Sequence, residues 1–201
     1  MATLDDVRRL NYAHHAKMTR EHNANKETGK NEAVGEKDDA SFASLLEKVP
    51  HVACALELGC ASGGQWRILE KWADKIRGVD LYEPTVKQSQ ERGLDIQLGF
   101  VEKLPFADDE FDLVCSRHVM EHVSDIQTAL KEIKRVLKPG GYVAAVTPHY
   151  FPDPEPAHLQ KLRIDEWVNM YVETGFTVSE SHLRQFNCME AHIVARKSEE
   201  I

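Results

Sequence analysis

A chain of 201 residues is long enough for one domain with a well-covered core. Its 42% hydrophobic and 29% charged residues are ordinary for a globular protein, and no apolar run nears the roughly 18 residues that cross a bilayer. A net charge of −8 works against a nucleic-acid partner, which needs a basic surface to neutralise phosphate.

Met1 to Leu10 carries Asp5, Asp6, Arg8 and Arg9 and has no apolar core of a secretory leader. Leu4, Val7, Asn11, His14 and Met18 fall on one helical stripe, which predicts an amphipathic helix over 3–20. Glu21 to Asp39 is polar and contains Gly29 and Gly35, the composition of a mobile loop. Phe42, Leu45, Leu46 and Val49 predict a second short helix over 41–49. Residues 1–50 are therefore expected to form N-terminal helices and a loop able to act as a lid. Cys54, Cys60, Cys115 and Cys188 are scattered without a C-x-x-C pair, which argues against a zinc cluster or disulfide framework and for a reducing, cytoplasmic setting.

Strands are expected at 52–58, 76–80, 94–98, 111–115 and 142–147, and helices at 63–73, 84–92, 124–137 and 165–174. Val52–Leu58 is apolar without strict alternation, as in a parallel strand covered on both faces. Pro84 suits the start of its helix and Gly93 its end. Ser124 and Gln127 read as a capping box, and Asp165 as the cap of a helix closed by Gly175. Lys131, Lys134, Arg135 and Lys138 read as a solvated helix face. Phe176–Leu183 and Ala191–Arg196 form an antiparallel pair. Strand–helix alternation with such an ending implies a doubly wound α/β domain over 1–201, with its core at 51–150 and a substrate loop, helix and hairpin at 151–201.

The chemistry concentrates where the first strand meets a small-residue turn, Leu56-Glu57-Leu58-Gly59-Cys60-Ala61-Ser62-Gly63-Gly64. Gly59, Ala61 and Gly63 let backbone approach a ligand, while Glu57 repels phosphate and suits an ammonium group. Asp80 ends the second strand about 20 residues on, where nucleotide-type folds hold ribose hydroxyls. With Leu104-Pro105-Phe106, the strand Phe111–Cys115 and Leu137-Lys138-Pro139-Gly140-Gly141, the chain resembles the class I S-adenosylmethionine-dependent methyltransferases, in particular the methyltransferase type 11 group. The resemblance runs by motif over 55–146 and more weakly through the C-terminal strands.

That resemblance implies a mostly parallel, seven-stranded Rossmann-like sheet with a reversed C-terminal strand, and S-adenosylmethionine as cofactor. It places Glu57, Gly59, Ala61 and Gly63 at the amino-acid end, with backbone acceptors at Ser116 and Arg117. Asp80 takes the ribose, Leu81 covers the adenine, and backbone at Val101 and Glu102 meets the adenine nitrogens. The family element Gly-Asp-Ala-Glu-x-Leu-Pro-Phe is here Gly99-Phe100-Val101-Glu102-Lys103-Leu104-Pro105-Phe106, so Phe100 replaces the Asp that accepts from the adenine amino group. NAD is the competing ligand, but Gly59-x-Ala61-x-x-Gly64 only approximates its fingerprint and Glu57 sits badly beside a pyrophosphate.

Ser116-Arg117-His118-Val119-Met120-Glu121-His122 follows the fourth core strand at the expected mouth of the site. His118, Glu121 and His122 would share one face of a helix. Some methyltransferases hold Mg²⁺ with E-x-x-E-H here, but His118 replaces the first Glu with a ligand Mg²⁺ disfavours, so no metal is expected. The proline-rich stretch 147–158, with His149 and His158, is expected to touch the acceptor. The resulting expectation is methyl transfer to an O or N atom of a small molecule, with His118 as base ahead of His149 and His122 as an orienting partner. A SAM-binding scaffold without catalysis and an aminopropyltransferase are the alternatives.

Overall fold

The computed structural model describes residues 9–10, 12–13, 16–17, 40–149, 158–185 and 189–199. The expected loop over 21–39, most of the helix over 3–20, and the stretch 150–157 lie outside them. Residues 9–10, 12–13 and 16–17 are helical, as are residues 40–46, labelled α1.

Seven strands form one sheet: β1 (Val52–Leu58), β2 (Ala73–Asp80), β3 (Ile96–Leu98), β4 (Phe111–Arg117), β5 (Leu137–Pro148), β6 (Phe176–Gln185) and β7 (Met189–Lys197). Their order is β3-β2-β1-β4-β5-β7-β6, with β7 antiparallel to both neighbours and β1 parallel to β2 and β4. The helices between them are α2 (Trp66–Leu69), α3 (Glu83–Glu91), α4 (Ile126–Val136) and α5 (Ile164–Glu173). Successive strand residues point to opposite faces, and both faces are apolar. Leu56, Val114, Ala145 and Ile193 face Leu130 and Ile133 of α4 and Trp167 and Tyr171 of α5. Ala55, Leu113, Ala144 and Val194 face Phe42, Leu45 and Leu46 of α1 and Ile68 and Leu69 of α2. Both faces being covered explains why the strands read as continuous apolar runs. The expected doubly wound sheet with a reversed last strand is the fold observed.

Several boundaries differ. The helix expected at 63–73 contracts to the four residues of α2, because Gly63 and Gly64 occupy its start and Ala73 already pairs with Val52. The cap of α4 is Asp125, not Ser124: its Oδ1 accepts from Thr128 N at 3.1 Å and its Oδ2 from Thr128 Oγ1 at 2.7 Å. Ser124 is turned to Glu102 instead. Asp165 lies inside the first turn of α5, where Arg163 N donates to Glu166 Oε2 at 2.8 Å. Gly175 closes α5 with a left-handed φ of 89°. The basic face of α4 is less solvated than its sequence implies. Arg135 donates to the carbonyls of Leu104 and Phe106, Lys134 to that of Thr174, and Lys138 pairs with Asp112.

Parallel strands leave β1 in opposite directions, toward β2 and toward β4, so the crevice for a ligand opens at their carboxyl ends. Register brings Leu58 beside Val79 and Ser116 there.

Candidate active site

The turn after β1 alternates through left-handed backbone at Gly59 (φ 59°), Ala61 (φ 43°) and Gly63 (φ 73°). A Cβ on Gly59 would stand 2.4 Å from Val119 Cγ2, so only glycine fits. Ala61 tolerates a conformation that costs a non-glycine residue roughly 1–2 kcal/mol. It is held there by Asp80, whose Oδ2 accepts from Ala61 N at 2.8 Å while Oδ1 accepts from Tyr82 N at 2.8 Å. Asp80 thus ties the end of β2 to the turn after β1. Each of its oxygens keeps a second lone pair for another donor.

Glu57 is 5% exposed, and its Oε2 has no hydrogen-bond partner. Burial pushes its carboxyl up to about 8, with the Trp66 indole pulling it back and the Asp80 charge adding to the rise. Ser116, buried at the end of β4, has a hydroxyl that is likewise unpartnered. A buried carboxylate without a partner is costly, and a cationic ligand group would relieve it. The orphaned Glu57 oxygen fits an ammonium, as the amino-acid end of S-adenosylmethionine carries, whereas the Ser116 hydroxyl lies on the other face of the sheet with Leu58.

A cavity of about 390 Å³ opens beside the turn. Gly59, Asp80, Leu81, Val101, Glu102, His118 and His122 line it, which gathers seven of the residues anticipated from sequence. Glu57, Ala61, Gly63, Ser116, Arg117 and His149 lie outside its lining. Arg117 is half-buried in the last position of β4, opposite Val146. Phe100 lines the cavity, so the departure from the family pattern falls on the cavity wall. The Glu102 side chain is engaged: its Oε1 accepts from both Ser124 N and Ser124 Oγ at 2.8 Å, tying the 99–106 loop to the head of α4. Val119, Val123 and Thr128 also line the cavity and carry no sequence signature of doing so.

The histidines are arranged differently from expectation. His118 is left-handed (φ 52°), and Met120–His122 is one 3₁₀ turn, so no shared helical face exists. The side chains still converge, with His118 Nδ1 3.5 Å and His122 Nε2 3.9 Å from Glu121 Oε1. His118 Nε2 lies 3.0 Å from Glu190 Oε1, and Glu190 Oε2 lies 3.2 Å from His192 Nε2. Burial opposes charge on His118, but Glu121 and Glu190 outweigh it and raise the imidazole to about 9. Burial would raise Glu190, yet His118 and His192 bring it down to about 2. Glu190 was not anticipated, since it reaches His118 only through the pairing of β7 with β5. His149 Nδ1 accepts from Ile164 N at 3.1 Å, which fixes the start of α5.

Residues 56–145 match the family described as a methyltransferase domain. The chain is 31% identical over 137 residues to the uncharacterised methyltransferase YcgJ of Bacillus subtilis, covering 58% of this chain and 54% of that protein. It is 34% identical over 111 residues to a malonyl-acyl-carrier-protein O-methyltransferase of Pseudescherichia vulneris, covering 54% and 43%. The matches thus span about half the length of these relatives. The crystal structure of the 4+2 cyclase SpnF shares the fold with a TM-score of 0.69 at 19% identity, over 81% of each chain. Over residues 56–145 the chain is thus similar to the methyltransferase domain family, and it shares the fold of that solved structure.

Proposed function

We propose that the protein transfers the methyl group of S-adenosylmethionine to an oxygen or nitrogen atom of a small molecule. The observation that carries this reading is Glu57, a buried carboxylate with an unpartnered oxygen at the end of β1, beside a turn that Asp80 pins from β2. Glu57 would hold the ammonium, with backbone at Gly59, Ala61, Gly63, Ser116 and Arg117 around it. Asp80 would accept from the ribose hydroxyls, Leu81 would cover the adenine, and backbone at Val101 and Glu102 would meet its ring nitrogens. The cofactor supplies an electrophilic methyl group on sulfur. The chain's own contribution would be alignment of a nucleophile with that group in the cavity.

Both ring nitrogens of His118 face carboxylates, and Nδ1 of His149 is committed to α5. Neither offers a free lone pair to an incoming hydroxyl. The geometry therefore favours acceptors that arrive deprotonated, such as carboxylates or phenols, with His118 holding position rather than removing a proton. Tyr12, on the N-terminal helical residues, packs edge-on against Tyr82 at 4.7 Å just after Asp80 and Leu81, which supports a lid role for that segment. A cytoplasmic setting accords with the free thiols of Cys54, Cys60 and Cys115.

A second reading keeps the cofactor but not the reaction: Phe100 in place of an adenine-amino acceptor, together with a cyclase on the same fold, favours a binding or non-methylating role. Incubation with methyl-labelled S-adenosylmethionine and a panel of small carboxylic acids, phenols, amines and alcohols separates the two. Label should pass to a carboxylate or phenol, and His118→Ala should cost less than about tenfold in rate. Tight cofactor binding with no transfer to any class would favour the second reading. A loss of about 10²-fold or more in His118→Ala would restore His118 as the base.

A further inference from the structure

Beside the cavity, one side-chain cluster has no part in holding the cofactor. Glu121 and His122 belong to the 3₁₀ turn after β4, and His158 opens the segment that leads into α5. One carboxylate oxygen and one ring nitrogen from each histidine all lie within 4.8 Å of one another. The two imidazoles meet edge to face, with centroids 4.9 Å apart.

Backbone bonds hold the two segments together independently of those side chains. The Glu121 carbonyl accepts from Leu159 N at 2.7 Å and Gln160 N at 2.9 Å, and Gln160 Nε2 donates to the Val123 carbonyl at 2.9 Å. Glu121 is 1% exposed, and its Oε1 makes no hydrogen bond, standing only at ion-pair distances from His118 and His122. A buried carboxylate oxygen without a hydrogen bond is costly unless a cation completes it. His118, the third ligand that sequence spacing would nominate, has its Nε2 turned to Glu190. The fold brings His158 to the cluster in its place.

We infer that Glu121, His122 and His158 form a binding site for a divalent first-row transition ion of the zinc class. Two imidazoles and one carboxylate are a donor set that Zn²⁺, Co²⁺ and Ni²⁺ favour, whereas Mg²⁺ demands octahedral oxygen ligands. Bonds of about 2.0–2.2 Å require the donors to draw in to roughly 3.3–3.5 Å from one another. Side-chain torsions of the half-buried His122 and His158 can supply that contraction while the backbone bonds stay made. Because His122 also lines the cavity, the ion would stand in its wall and brace the segment carrying His158 against the acceptor space. The site stands whether or not the cavity transfers methyl groups.

Full-length protein stripped with a chelator and dialysed would be titrated with Co²⁺, following visible absorption, and then with Zn²⁺ in competition. The expected result is one saturable Co²⁺ site with the intense absorption of four- or five-coordinate cobalt, displaced by one equivalent of Zn²⁺. His158→Gln, His122→Gln and Glu121→Gln should each weaken it by more than about tenfold, since even outer-shell partners carry 10–100-fold. His182→Gln, remote from the cluster, should leave it unchanged. Each variant is compared at an unchanged melting temperature, and His158→Gln and Glu121→Gln, whose residues lie outside the cavity lining, also at unchanged S-adenosylhomocysteine binding by calorimetry. Any that fails this is replaced by the corresponding Ala variant. Absence of saturable absorption, or binding that survives His158→Gln, would overturn the site. Neither outcome would touch the cofactor reading, which calorimetry tests separately.

Discussion

Phe100 lines the cavity beside Val101 and Glu102, at the position where the proposed cofactor reading would want an Asp facing the adenine. Glu102 Oε1 is engaged by Ser124, which leaves Oε2 as that side chain's open acceptor oxygen. Phe100→Asp would add an acceptor there and should tighten S-adenosylhomocysteine by about fivefold, the worth of one hydrogen bond of about 1 kcal/mol, without raising turnover. Unchanged affinity by calorimetry would show that the amino group already has an acceptor. Asp80 accepts from two backbone donors, so Asp80→Ala should both weaken ligand binding by about 1–3 kcal/mol and lower the melting temperature. Asp80→Asn, which keeps one acceptor, should fall between. A variant that melts lower with ligand affinity intact would leave Asp80 only its structural role. Glu57, Gly59 and Asp80 were legible because each is marked by its immediate neighbours, a charged residue at the end of an apolar strand or a glycine after it. Glu190 was not, because it reaches His118 from a strand remote in sequence and neighbouring residues do not encode such a meeting. His158 was expected near the acceptor, but its meeting with the Glu121 turn was not legible.

Helices with an apolar stripe were readable at the level of elements, and their ends were less so. α4 and α5 were found within a few residues because Leu130, Ile133, Trp167 and Tyr171 fall at helical spacing and bury. The cap of α4 was misplaced because Ser124 and Asp125 are both good caps, and a partner on another loop, Glu102, decides between them. α2 is short because left-handed backbone at Gly59, Ala61 and Gly63 keeps the preceding turn out of helix, and Gly59 is its tightest point. Gly59→Ala combines a left-handed backbone, roughly 1–2 kcal/mol for alanine, with a 2.4 Å approach to Val119 Cγ2. Its melting temperature should drop by at least about 3 °C. The drop should be smaller when the same change is made in Val119→Ala protein, because the collision is gone and only the backbone strain remains. Equal drops in both backgrounds would mean that Val119 does not limit the turn.

Alternation of strand and helix was enough to predict a doubly wound sheet, since parallel strands need crossovers and crossovers need both faces apolar. The strand order then places the charge of the site. Glu57 and Asp80 come from adjacent strands and share one face at the carboxyl end of the sheet, whereas His149, after β5, is drawn away to α5. The burial of Glu57 has a consequence for the whole molecule. Its carboxyl titrates near 4.5 in the unfolded chain and is pushed up to about 8 by burial in the fold. Between those values the folded protein holds a proton that the unfolded chain has released, so this group's contribution to stability falls as pH rises from 4.5 to about 8. An ammonium ligand pairs with the ionised form, so ligand affinity should move the opposite way. The most direct measurement is a calorimetric titration of the full chain with S-adenosylhomocysteine from pH 6 to 8, alongside Glu57→Gln and a parallel titration with NAD. One equivalent should bind, with affinity rising with pH in the native chain and flat in Glu57→Gln, and NAD should give no saturable heat. Absence of S-adenosylhomocysteine binding, or NAD binding of equal strength, would contradict the assignment of this crevice to S-adenosylmethionine.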